Sequence, residues 1–345
     1  MSAALLSRFL KLPYKLYRGD PDWVAPLLSD QRSLLDPAGP FMKHAEGCLF
    51  LVEGRGRLAA FVNRAMGDPE VGCVGFFECQ DDRSVAADLF GRAEEWLAGL
   101  GVRRVLGPLS PSLNETVGLL VEGEPGPPTV MMAYNPTFYP RLFEACGYAK
   151  GRDFVAYRLP LPAPRLAFPR DLAVRTFRME RLAREAERFA ALHNRCYRDS
   201  GHYAFAALSA EEARHMASSL RFLLDPECTV MVEQDGGLVA GLLAVPDVNP
   251  LLRAFRGRMG PLELARLLWN RRRMGGLRIM DVNVAPELTG RGIARAMVSR
   301  VLERAGRYGR IEYSWVAEDN LPSHRVALAF GGRVTRRYRV YEKRL

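Results

Sequence analysis

The chain has 345 residues, of which 48% are hydrophobic and 26% charged, a composition typical of globular proteins and too apolar for a disordered one. No apolar run reaches the ~18 residues of a membrane span, and the start lacks the order of a secretory signal, so we expect a cytoplasmic protein. Residues 1–160 carry 17 basic and 19 acidic side chains, whereas residues 161–345 carry 32 and 20. The basic second half therefore favours an anionic ligand.

The cysteines and histidines give no sign of cross-links or metal. The six cysteines form no C-x-x-C pair and are scattered along the chain, which argues against a disulfide framework. The five histidines lack the spacing of a metal site. We therefore expect no metal cofactor.

The first half alternates strand-like and helix-like patterns. Apolar residues at helical spacing predict a helix over 85–100, closed by Gly101, and another over 139–146, closed by Gly147. Apolar or alternating runs predict strands at 48–53, 58–63, 72–79, 102–106 and 154–159. Prolines at 160, 162 and 164 then disfavour helix and predict an extended linker over 160–170.

The second half repeats this order. Asp235-Gly236-Gly237 predicts the turn of a hairpin between strands 229–233 and 238–245. The other predicted elements are helices at 179–197, 211–224, 292–307 and 322–330 and strands at 278–284, 311–316 and 337–343. We therefore expect an α+β fold with mixed α/β sheets, built from two similar units in tandem.

The strand–loop–helix segment 280–297 carries the clearest functional signal. Its strand is predicted to present Met280, Val282 and Val284 on one face and Asp281 and Asn283 on the other. The helix that follows has free N–H groups and a partial positive charge at its start, which suits a phosphate or pyrophosphate. Gly290 and Gly292 allow close approach of an anion, and Arg291 and Arg295 add charge.

This segment resembles motif A of the GNAT acyltransferase superfamily, V-x-P-x-x-(Q/R)-x-x-G-x-(G/A), through Val284, Pro286, Gly292 and Ala294. Thr289 departs from the pattern, which should weaken but not abolish a site built from backbone amides. The resemblance covers roughly residues 172–345 and implies acetyl-CoA or a longer acyl-CoA as the donor. The cofactor-binding residues that it implies are Val282, Asn283, Val284, Thr289, Gly290, Arg291, Gly292, Ile293, Ala294, Arg295 and Asn320.

Residues 318–332 resemble motif B of the same superfamily, with Asn320 opening a helix that Gly331 closes. In many GNAT enzymes a tyrosine four residues before that glycine protonates the leaving thiolate, but this chain has Ala327 there. Another proton donor is therefore needed. The candidates are Ser323 and His324 on the same helix and Tyr338 or Tyr341 on the last strand, for each of which a packing role is the simpler explanation.

A general base would have to take a proton from the acceptor amine. Glu312 and Asp281 lie on adjacent predicted strands and could both face the cleft. Glu312 ranks first because a carboxylate inside an aromatic strand is costly unless it is paired or used. A salt bridge to one of the many arginines explains Glu312 equally well.

The first half resembles the same fold without the site. The loop after its strand 74–79 contains Asp81 and Asp82 and no glycine, and these charges would repel a pyrophosphate. We therefore predict a degenerate GNAT-like domain over 40–159, an N-terminal arm over 1–39 and the acyltransferase domain over 171–345.

An arginine-rich insert separates the strands that end at Val245 and begin at Arg278. It contains two acidic residues, Asp247 and Glu263, and eight arginines: 253, 256, 258, 266, 271, 272, 273 and 278. Its leucines form an apolar helical face that needs burial, so docking on the first domain is favoured. A lid over the acceptor site and a surface for nucleic acid or lipid headgroups are the alternatives.

These features predict an N-acyltransferase in which an acceptor amine of a small molecule or peptide attacks the thioester directly. The family resemblance implies an acetyltransferase. One alternative is an aminoacyl-tRNA-dependent transferase of the Fem type, which the duplication and the basic charge favour and the pyrophosphate loop opposes. A second is a non-catalytic acyl-CoA-binding protein, which Ala327 favours. A nucleic-acid-binding module ranks last because no recognised reading motif is present. The sequence does not fix the oligomeric state.

Overall fold

A computed structural model describes residues 2–198, 203–270 and 273–345. The described part contains ten α-helices and fourteen strands, as expected for a mixed α/β fold. The helices are α1 Ala3–Leu16, α2 Leu28–Leu34, α3 Arg83–Gly99, α4 Tyr139–Ala145, α5 Leu182–Tyr197, α6 Ala210–Leu220, α7 Asn249–Phe255, α8 Pro261–Asn270, α9 Ile293–Arg304 and α10 Leu321–Ala329.

The strands of the first half are β1 Ala45–Val52, β2 Gly56–Asn63, β3 Val71–Cys79, β4 Arg104–Gly107, β5 Leu109–Ser110, β6 Thr116–Val117, β7 Leu119–Gly123 and β8 Ala149–Leu159. Those of the second half are β9 Ala173–Thr176, β10 Val230–Gln234, β11 Gly237–Pro246, β12 Gly276–Val284, β13 Arg310–Ala317 and β14 Arg333–Arg344.

Twelve of these strands form one continuous sheet. Its order is β1-β2-β3-β4-β14-β8-β13-β12-β11-β10-β9, and β7 pairs with β14. Each half contributes a meander that ends in a parallel pair, β3 with β4 and β12 with β13. The two predicted units therefore share a single sheet.

The last strands of the two halves are exchanged. The strand β8, from the first half, lies between β13 and β14, and β14, at the C-terminus, pairs with β4 of the first half. A cut in the proline-rich segment after residue 159 would thus separate each unit from the strand that completes its sheet. The division of the chain into domains at 40–159 and 171–345 therefore stays a prediction.

Four clusters of buried side chains hold the fold together. One contains the second-half strands and α9, and another packs α3 and α4 on the first-half strands. A third lies at the paired strands β8 and β14, where the two halves meet, and a fourth holds α1 against β2 and β3. The N-terminal arm is therefore a packed helix rather than an extended segment.

The arginine-rich insert forms α7 and α8; the segment around α7 docks on the first half and the arm, whereas the leucines of α8 that are buried pack on the second half. The side-chain amide of Asn249 donates a hydrogen bond to the Pro128 carbonyl at 2.8 Å, and the backbone N–H of Val130 donates to the Asp247 carboxylate at 3.0 Å. The backbone N–H of Leu28, in the arm, donates to the Gly257 carbonyl at 3.0 Å. Arg271 and Arg272 lie outside the described residues. In the part of the chain that is described, no helix has the length and apolar character needed to cross a bilayer.

Candidate acyl-transfer site

The site begins where β12 and β13 separate. They pair in parallel only over Gly276–Ile279 and Arg310–Tyr313. Beyond this point β12 continues to pair with β11, and β13 continues with β8. The divergence opens a V-shaped gap, and the backbone polar groups along its walls have no partner strand among the described residues. An extended ligand segment can hydrogen-bond to such a free strand edge.

The end of β12 leads into an exposed loop and the start of α9. Gly290 and Gly292 have φ of +87° and +77°, and a Cβ at either would meet open space. Gly292 is the N-cap of α9, and no side chain among the described residues caps the helix. The first N–H groups of α9 are therefore available to an external anion, as the sequence predicts.

The charged residues of this loop are exposed. Arg291 forms an ion pair with Asp171 at 2.6 Å, so part of its charge is already neutralised. Thr289 and Arg295 are exposed, Ala294 is partly buried and Ile293 packs in the core. The arrangement leaves most of the anion binding to backbone amides and Arg295.

The corresponding helix of the first half, α3, has its N-terminus closed by its own chain. Asp82 is the N-cap, and its carboxylate accepts hydrogen bonds from the amides of Ser84 and Val85 at 2.9 and 3.2 Å. The gap after β3 is also closed, because a Cβ on Gly75 would lie 1.8 Å from the Leu109 carbonyl oxygen. A protein carboxylate thus occupies the place that an external anion would need, and the first unit is degenerate in structure as well as in sequence.

A cavity of about 230 Å³ lies between the separated strands and the helices α5 and α6. Most of its wall is apolar and comes from residues such as Phe177, Phe189, Met216, Leu220, Leu224 and Phe205. The first half closes one side through Leu113 and Met131. Apolar enclosure of this kind suits a hydrocarbon chain, because each buried methylene contributes ~0.8 kcal/mol to binding.

Two predicted cofactor residues and one predicted catalytic residue reach this cavity. Val282 and Asn320 line it, as does Asp281. The Asp281 carboxylate contacts His193 Nδ1 at 3.0 Å, and both side chains are largely buried. When Nδ1 carries the proton and donates to Asp281, Nε2 is left as a proton acceptor. The structure thus places an oriented imidazole in the cavity wall.

The carboxyl group of Glu115 also lines the cavity, from the first half. It makes no hydrogen bond or ion pair with any described residue. Burial, together with the nearby carboxylates of Asp30 and Glu212, raises the pKa of Glu115 to about 8. A carboxyl group without a cationic partner on an apolar wall is unusual in a folded protein and points to a ligand group that contacts it.

Glu312 does not line the cavity. It is buried in β13, where its carboxylate accepts hydrogen bonds from Thr129 Oγ1 and Ser314 Oγ, both at 2.6 Å. Ser314 Oγ in turn accepts a hydrogen bond from Arg278 Nε at 3.0 Å. Burial lowers the pKa of Arg278, and the Glu312 charge opposes that shift. Glu312 is thus the counter-charge in a buried network behind the cavity wall.

Three further predicted residues also lie away from the cavity. Tyr341 is buried in the core of the first half, next to Glu144. Asn283 is buried in β12, and neither polar atom of its amide has a hydrogen-bond partner in the described structure. Val284 ends the strand, and its carbonyl accepts a hydrogen bond from the Cys196 thiol. Tyr341 lies in the core of the first half because the strand exchange places β14 in the sheet of that unit.

The helix α10 brings a hydroxyl group to the cavity in place of the missing tyrosine. Ser323 lines the wall, and its amide donates to the side chain of Asn320 at 3.2 Å. Tyr313 lies beside it, and burial raises the Tyr313 pKa to about 12 although the Ser323 hydroxyl opposes the shift. His324, by contrast, is engaged with Tyr157 and the Ala317 carbonyl, and Tyr338 is buried in the core between the halves.

Comparison with known proteins agrees with this geometry. The sequence model of the acetyltransferase (GNAT) family matches residues 186–331, which include the separated strands and the whole of α9 and α10. A relative called bacterial ceramide synthase, from Caulobacter vibrioides, is 32% identical over 99% of this chain and 95% of its own length. The chain belongs to the GNAT family.

Two further comparisons extend over almost the whole chain. Protein YghO of Escherichia coli is 27% identical, covering 99% of this chain and 93% of its own. A tandem GNAT protein from the clavulanic acid biosynthesis pathway superposes with a TM-score of 0.57 at 15% identity, over 99% of this chain and 95% of its own. The likeness to a tandem GNAT structure supports the predicted repetition of the fold.

The sequence alone did not reveal the residues that make this GNAT site distinctive. His193 lies 88 positions before Asp281, on a helix with no motif of its own. Glu115 belongs to the half that has lost its own ligand site. Only the fold brings these side chains to one cavity, although the apolar spacing of α5 and α6 is visible in the sequence.

Proposed function

We propose that the protein is an N-acyltransferase that transfers a long acyl chain from acyl-CoA to the amine of a long-chain amino alcohol. The apolar cavity at the divergence of β12 and β13 carries this proposal, because an acetyl group would leave most of it unfilled. The name of the Caulobacter relative supports it, since a ceramide is the amide of a fatty acid and a long-chain amino alcohol. A long acyl chain thus replaces the acetyl group that the GNAT resemblance first suggests.

In this proposal the donor binds along motif A. The amides at the start of α9 and the side chain of Arg295 hold the pyrophosphate, and the free edge of β12 from Met280 to Val284 pairs with the pantetheine arm. The thioester then lies in the gap, with its acyl chain in the cavity. Acyl-CoA as the donor places the reaction in the cytoplasm.

The acceptor amine attacks the thioester carbonyl carbon, and the C–S bond of the resulting tetrahedral intermediate breaks to release the CoA thiolate. His193 Nε2 takes the proton that the amine loses, while Asp281 holds the imidazole in the required tautomer. Ser323 lines the same cavity and donates a hydrogen bond to the departing thiolate, and the imidazolium of His193 returns the proton that converts the thiolate to the CoA thiol. Free amides on the β12 edge stabilise the oxyanion.

Glu115 gives the acceptor a polar contact within the apolar cavity. Because its raised pKa keeps it protonated at neutral pH, it donates a hydrogen bond to a hydroxyl group of an amino alcohol. A simple alkyl amine would leave this carboxyl group unpartnered, which costs about 1–3 kcal/mol. The site should therefore prefer amino alcohols to alkyl amines of equal length.

Donor binding is tested by calorimetric titration of acetyl-CoA and palmitoyl-CoA into wild type and Gly292→Asp. We expect wild type to bind palmitoyl-CoA more tightly than acetyl-CoA, and the variant to bind both at least tenfold more weakly. Gly292→Asn adds the side chain without the charge, and Gly236→Asp places the same residue at φ +78° in an exposed turn elsewhere. Equal affinities in all four proteins would contradict the assignment of the anion site, and binding without turnover would favour a non-catalytic acyl-CoA-binding protein.

A further inference from the structure

The helix α8 of the arginine-rich insert has one buried and one exposed apolar side. Leu267 is buried in the core of the second half, and Leu264 packs against that core. On the opposite side Leu262 and Trp269 are 61% and 76% exposed, and they lie seven residues apart, two turns along one face. Leu268 beside them is 37% exposed. The helix is thus anchored by one face and presents leucine and tryptophan to the solvent on the other.

The arginines around this face have no counter-charges. Arg256, Arg258, Arg266 and Arg273 are exposed and form no ion pair with any described residue, although arginines elsewhere in the structure are commonly paired with carboxylates. Of the two acidic residues of the insert, Asp247 is ion-paired with Arg310, and Glu263 accepts a hydrogen bond from the Gly260 amide just before α8. The helix and the segments that flank it in sequence therefore carry exposed positive charge that no carboxylate of the described residues compensates.

We propose that this α8 surface, formed by Leu262, Arg266, Leu268 and Trp269 with Arg258 and Arg273, binds the surface of an anionic lipid bilayer. An exposed tryptophan and leucines enter the boundary between headgroups and acyl chains, and arginines pair with the phosphates. A surface for a second copy of this chain would need acidic side chains opposite the arginines, and α8 offers only Glu263, which already accepts the Gly260 amide. A nucleic acid would use the arginines but gain little from leucines.

The biological use of this membrane binding depends on the proposed function. A long-chain acyl-CoA and a long-chain amino alcohol both partition into membranes, and their amide product is membrane-resident. An enzyme held at the bilayer surface collects its substrates and releases its product there. The surface itself, however, is derived from exposure and charge and can be tested without any turnover.

The test is co-sedimentation of the full chain with phosphatidylcholine vesicles that contain 0 or about 30 mol% phosphatidylglycerol. We expect binding to the anionic vesicles only, with a blue shift of tryptophan fluorescence that is lost in Trp269→Phe. Leu262→Ser/Arg266→Gln should bind at least tenfold more weakly, since one basic residue near the surface is worth about fivefold alone. The matched control Leu100→Ser/Arg103→Gln, at an exposed site of the first half, should bind as wild type does.

Absence of binding to anionic vesicles, or equal loss in the control and α8 variants, would overturn the proposal. So would binding that persists undiminished in Leu262→Ser/Arg266→Gln, because another surface would then be responsible. Self-association that is abolished by the same double substitution, with no vesicle binding, would identify a second copy as the occupant instead. Tight binding to a duplex oligonucleotide that depends on Arg266 and not on Leu262, again without vesicle binding, would identify a nucleic acid.

Activity measurements separate this proposal from the proposed function. If the α8 variant keeps wild-type transfer on detergent-dispersed substrates and loses it on vesicle-embedded ones, both proposals are supported. Vesicle binding without acyl transfer would remove the function and leave the surface. Acyl transfer without vesicle binding would remove the surface and leave the function.

Discussion

Replacing Ala190 by phenylalanine should shorten the longest hydrocarbon chain that the protein accepts. Ala190 is buried in α5 and lines the cavity, so a ring at this position projects into the space assigned to a substrate chain. Each methylene excluded from the cavity costs ~0.8 kcal/mol, or about fourfold in affinity. Palmitoyl-CoA and dodecanoyl-CoA differ by four methylenes, so wild type should prefer palmitoyl-CoA by up to about 3 kcal/mol, on the order of 200-fold in kcat/KM.

The assay follows CoA release with a thiol reagent across a series of acyl-CoAs, and then across a series of amino alcohols at one fixed donor. We expect Ala190→Phe to abolish the preference for longer chains either among the acyl-CoAs or among the amino alcohols, whichever chain occupies the cavity. Transfer with the shortest chains should continue. Ala191→Phe is the matched control, because Ala191 is the next residue of α5, is exposed and does not line the cavity. Unchanged chain-length profiles in both series, with the variant folded, would refute the assignment of the cavity to a substrate chain.

Three other substitutions test individual side chains. His193→Gln should lower kcat by roughly 10²–10⁴-fold and leave palmitoyl-CoA binding unchanged, with His215→Gln as a control; a kcat within threefold of wild type would exclude His193 as the base. Glu312→Gln should lower the free energy of unfolding by about 2 kcal/mol in urea denaturation, because it removes the charge facing Arg278. The value of kcat per folded molecule should change little. A large loss of kcat with unchanged stability would restore Glu312 as the base. In wild type, stability should fall as pH rises from about 5 to 8, because unfolded Glu115 is already ionised in this range whereas folded Glu115 keeps its proton up to about pH 8. Urea denaturation should therefore show Glu115→Gln gaining up to about 1.4 kcal/mol relative to wild type for each pH unit in that window, and an equal effect at pH 5.5 and 7.5 would contradict the unpartnered carboxyl group.

Sequence patterns predicted the local elements of this protein well, because local signals fix them. The glycines of the Asp235-Gly236 turn specify the β10–β11 hairpin, and the motif A loop leads into α9 as expected. The strand exchange was not predictable in this way. Nothing in the residues of β14 distinguishes pairing with β4 from pairing within its own half, since both positions bury the same alternating side chains.

The candidate site divides along the same line. Its anion-binding loop was predictable because contiguous residues form it. Its acid–base groups were not, because they depend on which side of a strand faces a distant helix. The apolar surroundings of Glu312 made it a reasonable candidate for the general base, but Ser314 and Thr129 supply its hydrogen bonds behind the cavity wall. Asp281 on the neighbouring strand instead contacts His193 at the cavity.

The most direct measurement is mass-spectrometric detection of the amide formed when the purified chain is incubated with palmitoyl-CoA and sphinganine. The account predicts an N-palmitoyl product with one CoA released per amide, and much less product from acetyl-CoA or from Gly292→Asp. An enzyme that binds palmitoyl-CoA yet forms no amide with any long-chain amino alcohol, or that acetylates as readily as it palmitoylates, would contradict it.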